Sequence, residues 1–326
     1  MRIALPLLAV VAALFMVSLL TGPADIGIGE SLAALLSGGD GPLALVMREI
    51  RLPRALLAVM IGASLGLSGA AMQGYLRNPL AEPGLIGVSG SAALGAVLAI
   101  QTGLAASFAL GLPLAALAGA LGGVLLVMAL AGPRGTSLTL ILGGIAVSSL
   151  AGALTALVLN LSPNPFAASE IVFWMMGSLA DRSMTHVWLA LPFMVLGLAL
   201  LAGLGRGLDA LTLGEDAAQA MGIDMVRLRL MLVIGTACVV GAGTAVAGAI
   251  GFVGLVVPHM LRPLVGAHPG RLLWASALGG AAMVLLADIA VRVVLPERDL
   301  KLGVLTALVG APLFLHLILR LRRERI

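Results

Sequence analysis

The stretch RLPRALLAVMIGASLGLSGAAMQGYLRNPLAEPGLIGVSG, residues 51–90, governs how the rest of the chain is read. It begins with Arg51 and Arg54 around Leu-Pro, then runs apolar and Gly-rich long enough to cross the roughly 30 Å of a bilayer core. It breaks at Arg77-Asn78-Pro79-Leu80-Ala81-Glu82-Pro83-Gly84 before turning apolar again. An unpaired backbone group in hydrocarbon costs several kcal/mol, so such a break belongs at a membrane face or against a protected cavity. A charged entrance and a proline-bracketed polar turn predict the wall of a pathway.

Composition extends that reading to the whole chain. Sixty per cent of the residues are hydrophobic, ten per cent are charged, and the mean hydropathy is +1.14. A soluble domain carries about a quarter charged residues. The expectation is an all-α polytopic membrane protein, one transmembrane domain over 1–326 with no separate aqueous domain. Ten spans are predicted, at about 3–21, 52–75, 85–102, 112–131, 138–159, 185–204, 230–250, 252–266, 272–291 and 303–319. Residues 29–40 read as a surface helix and 160–183 as a loop with a short helix. Gly62-Ala63-Ser64-Leu65-Gly66 and Gly119-Ala120-Leu121-Gly122-Gly123 predict close helix contacts through small residues.

Several chemistries are unsupported. Cys238 is the only cysteine, and the four histidines are scattered, so no thiolate cage or histidine metal pair is expected. Lys301 is the only lysine and sits in Asp-Leu-Lys-Leu, so the chain has no Gly-Lys-Ser/Thr phosphate loop. Any ATP must be held by another chain. The carboxylates Glu82, Glu170, Asp181 and Asp288 are dispersed. The chain is read as a non-enzyme without a cofactor and without a nucleic-acid partner.

Ten spans put both termini on one side. With those in the cytoplasm, Arg2, Arg77, Arg134, Arg206, Arg227, Arg229, Arg262, Arg271 and the four tail arginines lie inside. Arg48, Arg51, Arg54, Arg182, Arg292, Arg298 and Lys301 lie outside, fewer, as the positive-inside rule requires. The outer arginines then call for a reason. Snorkelling is one, with Arg292 paired to Asp288 a turn back. A docking patch for an acidic partner is the other. The polar insert 206–229 contains LTLGEDAAQAMG, read as an amphipathic helix with Glu215 and Asp216 in its first turn, Gly222 at its end, and Leu213, Ala217, Ala220 and Met221 as one apolar stripe. Its acidic polar face suits a cytoplasmic protein partner better than a lipid surface. His259, directly after Pro258, is open to two readings: a packed residue serving a freed carbonyl, or a relay.

RLPR (51–54), GASLGLSGAAMQ (62–73), NPLAEPGLIGVS (78–89), WMMGSL (174–179), LTLGEDAAQAMGI (211–223), GAIGFVGLVVPHMLR (248–262), LADIAVR (286–292) and GAPLFL (310–315) together resemble the FecCD-type permeases. These are membrane subunits of ABC importers for iron-siderophore, haem and cobalamin. The resemblance implies a type II ABC importer permease fold in the bacterial inner membrane. It implies a homodimer among membrane lipid, two ATP-binding cassette subunits below, and a periplasmic substrate-binding protein above. It assigns docking of that protein to Arg51, Arg54 and Arg292. Coupling to the ATPase falls on Gly214, Glu215, Ala218 and Gly222, and the cytoplasmic gate on Asn78, Leu80, Thr136 and Ser137. The cargo it implies is a large metal chelate, iron-siderophore ahead of cobalamin or haem. An ion-coupled secondary transporter is the rival class; it needs a buried relay, for which Asp288 and His259 are the candidates. A structural or receptor-like membrane protein is the third reading, and it leaves the broken span and the insert without a task.

Overall fold

A computed structural model of the chain describes residues 3–22, 27–36, 41–132, 135–294 and 300–323. Arg2, Arg134, Arg298 and Arg325, counted above, lie outside it, as do the side chains of Arg320, Arg322 and Arg323. Every regular element among the described residues is helical. The helix α1 (Ala4–Leu20) is followed by a short α2 (Ile28–Leu36). Next, α3 (Pro42–Leu45) runs through a π-helical turn, Val46–Arg51, into α4 (Leu52–Tyr75). After a 3-10 turn at Pro83–Ile86 come α5 (Val88–Gln101), α6 (Leu104–Ser107), α7 (Gly111–Ala131) and α8 (Ser137–Asn160). Then follow α9 (Pro165–Met175), α10 (Met184–Ala202), α11 (Gly205–Leu211) and α12 (Glu215–Ala220). The chain continues with α13 (Met225–Ala247), α14 (Val253–Leu261), α15 (Pro269–Val294) and α16 (Leu302–Arg323).

Six of these segments are long and apolar enough to cross a membrane: Pro42–Tyr75, α7, α8, α10, α13 and α15. The other four predicted spans are shorter. Both α1 and α5 fall below the required length, as does the apolar part of α16, Leu302–His316. With only nine residues, α14 rises about 1.5 Å per residue and reaches less than half-way across a bilayer. Pro258 lies inside it, and Phe252, in the left-handed region at φ 66°, precedes it.

Helix starts follow ordinary capping chemistry. The Asp224 carboxylate accepts the amides of Val226 and Arg227 to open α13, Thr136 accepts that of Thr139 at α8, and Asn164 that of Phe166 at α9.

At the centre lies α4, whose apolar side chains serve two cores. Leu57, Ala58 and Ile61 pack with α10, α13 and α15 towards one end; Leu67, Met72 and Tyr75 pack with α11 and α13 towards the other. Its glycines let neighbouring backbones touch. A Cβ on Gly62 would overlap the Gly280 carbonyl, one on Gly66 the Ser276 carbonyl, and one on Gly69 the Gly254 carbonyl. Association in lipid depends on such close packing, because apolar side chains gain nothing by leaving apolar lipid.

Two matched substitutions test this. Gly66→Ala should destabilise by about 1–3 kcal/mol, whereas Gly122→Ala, with open space around its Cβ, should leave the thermal melt in detergent unchanged or raised. Equal melts for the two variants would contradict the packing assigned to α4.

Candidate functional site

The outer end of α4 carries the predicted arginines, and the structure gives each of them internal partners. Arg51 is 3% exposed. Its guanidinium donates to the Leu19 and Leu20 carbonyls, both at 3.1 Å. Arg292 donates to the Ser18 and Thr21 carbonyls, both at 2.8 Å, and to the Ser18 hydroxyl. The last turn of a helix leaves carbonyls without intrahelical partners and carries a partial negative charge. Arg51 and Arg292 satisfy both needs at the end of α1. In the same way Arg48 donates to the Leu35 carbonyl near the end of α2. Arg54 and Arg292 each pair with Asp288 at 2.8 Å, and that carboxylate is completely buried. The sequence-level pairing of Arg292 with Asp288 is present, and Arg54 adds a second cation to it. Arg51, Arg54 and Arg292 are thus brought together in one cluster joining α1, α4 and α15.

The inner end of α4 holds a second polar group. Pro258 has no N–H, so the carbonyl four residues earlier, Gly254, loses its helical donor. The side chain that reaches this carbonyl is Gln73, 1% exposed, whose Nε2 donates to Gly254 at 3.4 Å and to Leu255 at 3.2 Å. Arg262 donates back to the Gln73 Oε1, and Arg229 donates to the Tyr75 hydroxyl at 3.0 Å.

Beyond Tyr75 the chain turns through Arg77 in the left-handed region. The exposed Asn78 closes the turn, its side-chain oxygen accepting the Leu80 amide at 2.9 Å and its carbonyl the Ala81 amide. The segment then runs back inwards. Pro83 packs against Gly254, the Leu85 carbonyl meets Gly144 of α8, and the Glu82 carboxylate accepts the Phe252 amide at 3.4 Å. The two interruptions of the α-helical chain, 76–87 and 248–252, therefore meet and share the hydrogen bond from Phe252 to Glu82. Within a membrane, non-helical backbone is tolerated only under such protection.

Thr136 and Ser137 open α8, Thr136 as its cap. Asn78 and Thr136 are exposed, and Leu80 and Ser137 are half-buried.

The insert divides in two. The helix expected within 211–222 starts after Gly214 as α12, and the residues before it form a separate α11. Gly214 and Gly222 bracket α12 at φ 106° and 82°. These values favour glycine and fix where the turn of helix starts and stops. Ala218 is its buried anchor, and Glu215 sits exposed in the first turn. The apolar stripe does not face inwards: Leu213 is 70% exposed and Met221 62%. At the base, the Asp209 carboxylate of α11 accepts the Gly270 amide of α15 at 2.8 Å.

Comparison with known proteins places this architecture. The model of the FecCD transport family matches residues 9–320. The chain belongs to the FecCD transport family. Its members are ABC transporter permease subunits, which are not themselves enzymes, and this one is a multi-pass membrane protein of that kind. The cobalamin import system permease protein BtuC of Halobacterium salinarum is 41% identical over 275 residues, 84% of this chain and 73% of that one. The Fe(3+) dicitrate transport system permease protein FecD of Escherichia coli K12 is 38% identical over 277 residues, 85% of this chain and 86% of that one. A solved structure described as an inward-facing conformation of a metal-chelate type ABC transporter superposes with a TM-score of 0.86 at 34% identity, covering 98% of this chain and 99% of that one.

Sequence reasoning missed the parts played by Ser18, Gln73 and Glu82. A signal existed for one of them: Pro258 leaves the carbonyl four residues earlier orphaned, and Gln73 is an amide in an otherwise apolar span.

Removing Asp288 tests the outer cluster. Asp288→Ala leaves two guanidiniums facing each other without a counter-charge, and breaking a buried pair this way costs about 3–5 kcal/mol. The thermal melt of the purified chain should fall accordingly; an unchanged melt would contradict the cluster.

Proposed function

We propose that this chain is the permease of an ABC importer that carries a large metal chelate from the periplasm to the cytoplasm across the bacterial inner membrane, iron-siderophore ahead of cobalamin or haem. It works as a homodimer on two ATPase subunits, which hold the ATP, and receives cargo from a periplasmic binding protein. Cobalamin import by the system of the Halobacterium relative and Fe(3+) dicitrate transport by that of the Escherichia coli one support the cargo class.

The observation that carries the reading is the outward apolar face of the segment around α12. An exposed Leu213 and Met221 beside the acidic Glu215 and Asp216, on glycine-bracketed helix, is a surface made for a protein cleft. In this reading Gly214 and Gly222 set the helix ends, Ala218 anchors it, and Glu215 faces the ATPase. Movement there passes to α15 through Asp209 and Gly270, and on to α4 through the glycine contact. Asn78, Leu80, Thr136 and Ser137 form the inner gate with their copies in the second subunit. At the outer end, Arg54 is the contact for the binding protein, being the most exposed of the clustered pair around Asp288 at 17%. Arg51 and Arg292 hold its footing.

Met221→Glu and Leu213→Glu should each cut co-purification of the ATPase subunit at least tenfold, with the melt of the isolated permease unchanged because both side chains are exposed. Gly222→Val, which strains a left-handed position, should uncouple ATP hydrolysis from transport. Undiminished ATPase capture by both glutamate variants would overturn the assignment.

A further inference from the structure

A cavity of about 1260 Å³ opens on the side of the molecule formed by α1, α4, α10 and α15, away from α12 and from the two interruptions, 76–87 and 248–252. It exceeds the roughly 300–1000 Å³ of ordinary small-molecule pockets. Its wall is almost wholly aliphatic, running along α1 from Ile3 to Val11 and along α15 from Arg271 to Ala281. At about 1.5 Å per residue the groove reaches roughly 12–15 Å, the depth of one leaflet of a ~30 Å core. Its mouth is of a different chemistry. His268, Arg271 and Trp274 stand there, all exposed, Trp274 at 60%. Among the described residues neither His268 nor Arg271 makes a side-chain hydrogen bond or an ion pair. The neighbouring Asp209 carboxylate is occupied by the Gly270 amide instead.

We propose that this groove is a binding site for an anionic phospholipid of the cytoplasmic leaflet, its acyl tails in the aliphatic slot and its phosphate on Arg271 and His268. Three observations converge on that occupant. The slot is as deep as one leaflet, which suits acyl tails. The mouth offers an unpaired guanidinium and an imidazole donor where the headgroup lies, and anionic headgroups attract basic groups at that surface. An exposed tryptophan at the same level fits the interfacial belt. A transmembrane helix of another protein would fill the slot but leave Arg271 without a counter-charge. Because the groove lies against α4 and α15, a lipid seated in it braces the helices that join the proposed ATPase seat to the gate.

The test is native mass spectrometry of the full chain in detergent, titrated with phosphatidylglycerol or with phosphatidylcholine of the same tails. Phosphatidylglycerol should bind several-fold more tightly. Arg271→Gln should erase roughly fivefold of that preference and leave phosphatidylcholine binding unchanged, and Ala277→Phe, which fills the slot, should weaken both. Inorganic phosphate should not compete at millimolar concentration. Equal binding of the two lipids, a preference untouched by Arg271→Gln, displacement by phosphate alone, or a polypeptide retained stoichiometrically in the groove would each overturn the proposal.

Discussion

A backbone carbonyl or amide left without a partner in hydrocarbon costs several kcal/mol, and at several helix ends among the described residues a side chain or a turn supplies that partner. Arg51 and Arg292 serve the end of α1, and Arg48 serves α2. Gln73 serves the carbonyl freed by Pro258, Asn78 closes the turn after α4, and Glu82 takes the amide that opens α14. These partners account for Arg48, Arg51 and Arg292, each of which meets the carbonyls of a helix end.

The same constraint separates what can move from what cannot. Through Gly62, Gly66 and Gly280, α4 and α15 are locked backbone to backbone, and at their outer end through Asp288. The stretches 76–87 and 248–252 also pack closely on their neighbours, the Leu85 carbonyl against Gly144 and the Ala249 carbonyl against Gly177 and Gly303, but between themselves they share a single hydrogen bond, Glu82 to Phe252 at 3.4 Å. An equilibrium between outward and inward forms can be biased only by contacts that differ between them, and single bonds at interrupted helices are the contacts cheapest to exchange. The contiguity of α12, α11, α15 and α4 offers a physical route to them. The cluster at Asp288 also bears on the rival transport class: the one carboxylate proposed for a relay is spent inside the chain on joining two guanidiniums.

Much of this was legible in the sequence because hydrophobicity and small-residue spacing are strong local signals. The all-helical membrane fold, the span 52–75, the break after Tyr75, the Gly62–Gly66 contact and the bounds of α7, α8 and α10 all follow from them to within a few residues. What was not legible depends on which distant backbones meet. The span predicted at 252–266 proved to be a nine-residue helix, Val253–Leu261, because Pro263 and the turn that closes at Gly266 take up the end of the apolar run. The insert's apolar stripe was recognisable, but that Leu213 and Met221 stay exposed was not, since periodicity defines a face but not what covers it. The arginines were recognisable as a group; that their partners are the carbonyls of α1, more than thirty residues away for Arg51, is a tertiary fact with no local signature.

The most direct test of the account is uptake into proteoliposomes containing the permease with its ATPase subunits, with binding protein loaded with ferric siderophore on the outside. Iron should accumulate only when ATP and binding protein are both present, and collapse of proton and sodium gradients should not slow it. Accumulation by the permease alone, driven by an ion gradient without ATP, would contradict it.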